Sequence, residues 1–315
     1  MPGPYAHITL LHELMRPGTP ESIFSPSSGF QTALETNFHY AALGAVSPDY
    51  PTLARRDDNA AWWADAMHCG RAGEMIGRGV RGLGGMTGAV RDKQVAWLLG
   101  YCAHVVTDMT IHPVVQAKVG LYAENQRQHR VCEMNQDSHI YRRMNLGEIG
   151  GSDSFARSVA RCSATVDDTG LDKDIATLWE GMLEALYQEQ FVKYPPVTAS
   201  WHREFVATAS DCREGEVRLF PLAGVIATKM GVSYPAYEAV DRQYIEEQVV
   251  PSESPQRLHY DEIFDHAVEN VAEMWRLVEQ AICSDNPACL PLFEEWNLDT
   301  GRDGHDTLVF WQQIP

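Results

Sequence analysis

The chain has 315 residues, 44% hydrophobic and 22% charged, with 25 Lys+Arg against 43 Asp+Glu and a net charge of −18. That profile excludes fibrous and disordered chains and predicts a globular protein with a sizeable core. So much negative charge repels a polyphosphate backbone unless a local basic or metal-charged site intervenes, which disfavours duplex nucleic acid as a partner.

The acidity is not evenly spread. Residues 1–150 hold 14 acids and 13 bases, and residues 151–315 hold 29 and 12, so the two parts carry −1 and −17. Eight of the twelve histidines fall in the first part. The seven cysteines (Cys69, Cys102, Cys132, Cys162, Cys212, Cys283 and Cys289) are odd in number and contain no CxxC pair, a pattern of reduced, mostly buried thiols and not of a disulfide framework. The opening residues have neither a basic n-region nor a continuous apolar h-region. The longest apolar run, Val95 to Val106, is interrupted by His104 and falls short of a membrane span. A cytoplasmic location is the expectation.

In chain order, Arg16 to Gly29 is rich in Pro, Ser and Gly and predicts a break. A helix is expected near Asp57 to Met67. Gly77 to Gly88 contains six glycines, including Gly77-x-Gly79-x-x-Gly82, but lacks the flanking strand and helix of a dinucleotide site and reads as a mobile loop. Gln94 to Ile111 reads as a buried helix ending at His112-Pro113, because the residue before proline is biased away from helical geometry. Further helices are expected over Glu124 to Met144, Lys173 to Phe191 and Pro235 to Gln248, with breaks at Gly147 to Ser154 and Pro251 to Pro255. From Asp261 to Cys283, Phe264, Val268, Val271, Trp275, Val278 and Ile282 recur at steps of three and four, the signature of a core-facing helix. The dipeptide His305-Asp306 has no partner and reads as an exposed turn. Strand signals are sparse, so the fold class is all-α.

The informative motif is His104-x-x-x-Asp108-x-x-x-His112. Steps of four put three ligand-capable groups in one column on a helix face. The column projects from a strongly apolar segment, where a carboxylate and two imidazoles are costly unless hydrogen-bonded or bound to a metal. A second helix offers His129-x-x-x-Glu133, again one turn apart. On its own that pair is an ordinary helix-surface pair; two helices carrying inward His and carboxylate groups are a means of building a metal site in a bundle. Ligation by His and carboxylate without cysteine suits Zn2+, with Mn2+ or Fe2+ as alternatives.

The blocks MPGPYAHITL, GAVSPDYP (Gly44 to Pro51), WADAMH (Trp63 to His68), AWLLGYCAHVVTDMTIHPVV (Ala96 to Val115) and HRVCEMNQD (His129 to Asp137) together resemble the zinc-dependent phospholipase C family, whose helical fold is shared with secreted single-strand nucleases. The resemblance covers about the first 145 residues. It implies a multi-helix bundle with a buried multinuclear site: Asp49, His68, His104 and Asp108 on a first zinc, His112, His129 and Glu133 on a second, and His7 with bridging Asp108 on a third. Residues 1–150 then form the metal-binding half, and residues 151–315 an acidic helical continuation completing the core and pocket. Two features depart from the family. Its secreted members also hold the third metal through a mature N-terminal tryptophan, which this sequence lacks, and the step from Asp108 to His112 is shorter than in the best-known secreted members. Two or three zinc ions, and the metal that His112 faces, therefore stay open at this stage.

The resemblance implies a metal-dependent phosphoric ester hydrolase in which Asp49 orients or deprotonates the attacking water. Trp62, Trp63 and Tyr50 are candidate stacking groups, with a core role equally open for the tryptophans. His12, His39 and His139 have no motif support, although His139 is near enough to Glu133 in sequence to line the same cavity. The expected substrate is phospholipid-type or a small phosphoester, the latter suiting the acidic second part better than an anionic leaflet. A single-strand nuclease is an alternative that calls for a basic track with stacking aromatics, and no concentrated basic run is present. A non-catalytic, metal-stabilised binding protein is the alternative from another class.

Overall fold

The computed structural model describes residues 3–54, 57–165, 167–210, 218–251, 255–283 and 293–311. Its helices are α1 (Pro4–Leu14), α2 (Thr19–Ile23), α3 (Phe30–Thr36), α4 (Phe38–Gly44), α5 (Ala60–His68), α6 (Ala72–Leu83) and α7 (Ala89–Val119). The chain continues through α8 (Tyr122–Tyr141), α9 (Ser154–Ala160), α10 (Lys173–Leu186), α11 (Gln188–Lys193), α12 (Thr198–Ser210), α13 (Pro221–Met230) and α14 (Tyr260–Cys283). Two antiparallel two-stranded ribbons, β1 (Gln248–Val250) with β2 (Gln256–Leu258) and β3 (Trp296–Asn297) with β4 (Arg302–Asp303), are the sheets among the described residues. The fold is all-α, as expected. No described helix is long and apolar enough to cross a membrane.

α7 is the axis of the molecule. Every residue from Gln94 to Val115 is buried, which accounts for an apolar pattern that runs around the whole helix and not along one stripe. Its 31 residues span roughly 46 Å at 1.5 Å per residue. α4 and α14 pack most extensively against it, with α3, α6, α8 and α1 also in contact. Two glycines allow the α4 contact: a Cβ on Gly44 would stand 2.1 Å from the Trp97 carbonyl oxygen, and one on Gly100 would stand 2.0 Å from that of Ala41. The two backbones therefore touch, and any side chain at either position would force them apart. On the α14 side, the buried Trp275 donates its indole N–H to the Leu99 carbonyl at 2.9 Å.

Several expectations are corrected. α7 does not end at His112-Pro113 but continues to Val119 with Pro113 inside it. The surrounding core outweighs the proline penalty, and Trp311 donates to the Thr110 carbonyl in the same stretch at 2.8 Å. Most of the glycine-rich segment is helix α6, not a mobile loop. A Cβ on Gly79 would stand 2.5 Å from Leu98 Cδ1, so this glycine is a place of close packing. Pro235 to Gln248 is not a helix but two 3-10 turns, at Tyr237–Ala239 and Arg242–Tyr244, leading into β1. There the Asp241 carboxylate accepts the Gln243 N–H at 3.0 Å, a local bond that competes with helix formation, and Asn135 on α8 accepts the Asp241 N–H at 2.8 Å, a tertiary contact that takes up a second backbone donor.

The remaining differences are small. Lys173 to Phe191 divides into α10 and α11 at Tyr187, and the Arg16 to Gly29 break contains the short α2. The helix expected near Asp57 to Met67 spans Ala60–His68, and α8 with the 3-10 turn Arg142–Met144 covers the segment expected from Glu124. His305-Asp306 lies in an exposed turn. Cys102, Cys132 and Cys162 are buried free thiols, whereas Cys69 and Cys283 are exposed; Cys212 and Cys289 lie outside the described residues, as do residues 252–254 of the break expected at Pro251 to Pro255.

Candidate metal centre

His104 and Asp108 are both wholly buried on α7, and His104 Nε2 stands 3.4 Å from Asp108 Oδ2. Because Gly44 and Gly100 bring α4 against α7, the carbonyl of Ala45 comes within 2.9 Å of His104 Nδ1 and fixes the ring with Nε2 turned inward. α5 delivers His68 in its last turn, where Nδ1 donates to the Ala64 carbonyl at 2.7 Å and Nε2 points to Asp49 Oδ1 at 3.5 Å and Asp108 Oδ2 at 3.9 Å. Asp49 lies in the buried 3-10 segment Ser47–Leu53. α1 brings His7 to Asp108 Oδ1 at 3.2 Å, its ring stacked on His104 with centroids 4.2 Å apart.

Five predicted residues thus converge. In each of two sets, His7 with His104 and Asp108, and Asp49 with His68 and His104, the donor atoms lie within 4.8 Å of one another. His7 Nε2, Asp49 Oδ1, His68 Nε2, His104 Nε2 and both Asp108 oxygens are buried without a hydrogen-bond partner. Buried polar atoms are almost always hydrogen-bonded, so several unsatisfied atoms aimed at one point fit a cation between them. The shifts at Asp108, His7 and His112 agree with that fit, whereas at His68 burial is outweighed by the Asp49 and Asp108 carboxylates, which raise the pKa, so a cation would displace a proton there. Burial opposes ionisation of Asp108, but the imidazoles that face it, His104 first, outweigh it and hold its carboxyl well below the usual range. Burial keeps His7 and His112 neutral, with lone pairs available for ligation.

The other three predicted ligands lie outside those two sets. His112, one turn beyond Asp108, gives Nδ1–H to the Leu298 carbonyl at 2.8 Å and leaves Nε2 buried with no partner. His129 Nε2 bonds the Gly120 carbonyl at 2.6 Å, and its Nδ1 is 3.9 Å from Glu133 Oε1. Glu133 Oε2 accepts from Arg130 at 2.7 Å. Of the aromatic candidates, Tyr50 and Trp63 are wholly buried core residues, whereas Trp62 is 39% exposed. His12 packs on Phe38, His39 packs on Tyr40, and His139 pairs with Asp261.

Two residues that matter here escaped the sequence reading. Arg130 is buried beside Glu133, donating also to the Tyr122 hydroxyl at 3.0 Å. Burial works against its charge, but Glu133, Tyr122 and Asp49 prevail and hold the guanidinium firmly protonated. Asp137 is buried at the start of α1, where it accepts the Ala6 N–H at 2.8 Å and the Tyr5 N–H at 3.3 Å. Helix N-termini leave such donors without intrahelical partners, so Asp137 anchors the helix that carries His7. The fit requires glycine: a Cβ on Gly3 would stand 1.9 Å from an Asp137 carboxylate oxygen. The available signal was the four-residue step from Glu133 to Asp137, which puts both on one face of α8. Asp137→Ala is expected to destabilise the zinc-loaded protein by about 2–4 kcal/mol in urea unfolding, with Asp137→Asn, which keeps an acceptor oxygen, losing less.

A model of the family described as zinc dependent phospholipase C matches residues 6–189. The chain belongs to the zinc-dependent phospholipase C family. No curated protein and no solved structure matches it. The span matched by this zinc-dependent phospholipase C family contains all eight predicted ligands, from His7 to Glu133, whereas Leu298, which orients His112, lies beyond it.

Behind Asp49, the Tyr50 hydroxyl donates to His202 Nδ1 at 3.0 Å, and His202 Nε2 faces Ser163 Oγ at 3.3 Å. Burial lowers the His202 pKa to about 4. Between pH 6.5 and 4 the unfolded chain therefore binds a proton here that the folded chain refuses, and stability falls as pH drops, by about 3 kcal/mol from this group. His202→Gln should remove that increment from the difference between urea-unfolding free energies at pH 7 and pH 4. An unchanged difference would contradict the assignment.

Proposed function

We propose that this chain is a zinc-dependent phosphoester hydrolase acting on a phospholipid-type or small phosphoester substrate. The observation that supports it most directly is the set of buried, unsatisfied donor atoms on His7, Asp49, His68, His104 and Asp108. Asp49, His68, His104 and Asp108 are assigned to a first ion, and His7 with the second Asp108 oxygen to a neighbouring one. His112, His129 and Glu133 are assigned to the remaining ion, Glu133 sharing its carboxylate with Arg130.

Bound zinc supplies Lewis acidity at phosphoryl oxygens and makes water a stronger acid near neutral pH. The residues supply the rest. Asp49, whose Oδ1 has no hydrogen-bond partner, orients the attacking water and takes its proton while oxygen adds to phosphorus and the ester P–O bond breaks, the leaving alkoxide departing as the alcohol with a proton returned from Asp49 or drawn from solvent. Ala45, Ala64 and Leu298 carbonyls hold the three imidazoles in their tautomers, so the site does not reorganise as charge develops. Arg130 adds a fixed positive charge suited to a phosphate oxygen.

The test is to purify the protein without chelator, count zinc by elemental analysis, and assay phosphatidylcholine against a small choline phosphodiester. Hydrolysis to a phosphorylated alcohol, abolished by chelator and restored by zinc, is expected. A zinc-loaded, folded protein that hydrolyses no phosphoester would replace this reading with the metal-stabilised binding protein.

A further inference from the structure

A second cluster of ligand-type side chains lies outside this centre, where the last turn of α8 meets the start of α14. His139 Nε2 stands 3.0 Å from Asp261 Oδ2, and His259 Nδ1 stands 3.1 Å from the same oxygen. The three donor atoms lie within 4.8 Å of one another. His139 and His259 also line a cavity of about 320 Å³ with Tyr237, Glu238 and Arg242.

We infer that His139, His259 and Asp261 form a second transition-metal site, distinct from the family's zinc centre and open to water on its cavity side. The contacts of His259 carry the argument. Its Nδ1 is 3.2 Å from the Asp261 backbone N–H as well as 3.1 Å from Asp261 Oδ2. Protonated Nδ1 satisfies the carboxylate but opposes the N–H, and unprotonated Nδ1 accepts the N–H but turns its lone pair on a carboxylate oxygen. A cation shared by Nδ1 and Oδ2 removes the lone-pair repulsion and leaves the N–H, a first-turn donor of α14, to water. His139 Nε2 on the same oxygen supplies the third donor. Arg143 occupies the other oxygen, Oδ1, at 2.8 Å and so orients the carboxylate as an outer partner does at metal sites. Two imidazoles and one carboxylate favour zinc, nickel or cobalt over calcium or magnesium, and the cavity has room for water at the remaining positions. The ion would pin the end of α8, two residues beyond Asp137, to α14.

The full-length protein is stripped with chelator, dialysed against micromolar free Zn2+ and analysed for bound zinc. His259→Ala and Asp261→Asn should each carry one equivalent fewer than wild type, with phosphoester hydrolysis and circular dichroism unchanged. His104→Ala should lose central zinc yet keep the outlying equivalent. Equal zinc in wild type, His259→Ala and Asp261→Asn would overturn the proposal and make the cluster a proton-held ion pair. A loss in His259→Ala but none in His104→Ala would sustain it while overturning the central assignment.

Discussion

Asp49→Asn is expected to lower turnover by about 10³-fold while leaving the fold intact, a loss in the range of removed general acid–base groups. The carboxylate lies in a 3-10 segment with its Oδ1 unsatisfied and 3.5 Å from His68 Nε2. Asparagine keeps the shape and one acceptor oxygen but cannot take a proton from water. The neighbouring Tyr50, Ser47 and Trp97 contacts that hold the segment are untouched: Ser47 donates to the Leu43 carbonyl at 2.9 Å, and Trp97 donates to Ser47 at 3.0 Å. The comparison needs initial rates on a choline phosphodiester with zinc counted in the same samples. Turnover within tenfold of wild type at equal zinc content would remove Asp49 from the chemistry.

Asp108→Asn should have the broader effect. Asp108 faces His7, His104 and His68 at 3.2, 3.4 and 3.9 Å, so one substitution removes the charge that all three imidazoles surround. We expect loss of at least one zinc equivalent and at least about 10³-fold of activity. The stabilisation linked to zinc should fall as well, by about 4 kcal/mol where free zinc is near a thousand times Kd. Thermal unfolding with and without chelator reads this directly: wild type should shift strongly and the variant little. Equal chelator shifts would show that the carboxylate is not a ligand.

The column His104, Asp108 and His112 was legible from spacing alone, because a helix repeats every 3.6 residues whatever surrounds it. The core face of α14 was legible for the same reason. Pro113 misled because the proline preference is local, whereas a helix buried on all sides gains more from packing than it loses at one turn. The α6 glycines misled in the opposite sense: their composition signals flexibility, and only Leu98 and Met182 pressing on Gly79 reveal that small size is what the position requires. Asp137 and Arg130 escaped the sequence reading, since the role of Asp137 depends on α1 lying against α8, and that of Arg130 on its burial beside Glu133 and Tyr122 of its own helix.

Local periodicity by itself determined the helical class and the residues that share a face, because backbone geometry dictates both. Charge and composition set the broad limits on partners. What only the tertiary structure decided is which face meets which. The approach of Gly44 to α7 brings the Ala45 carbonyl to His104, the C-terminal segment brings the Leu298 carbonyl to His112, and Asp137 anchors α1 so that His7 reaches Asp108. These are contacts between residues far apart in the chain, and their geometry follows from how volumes fit together in the core, which no spacing rule encodes.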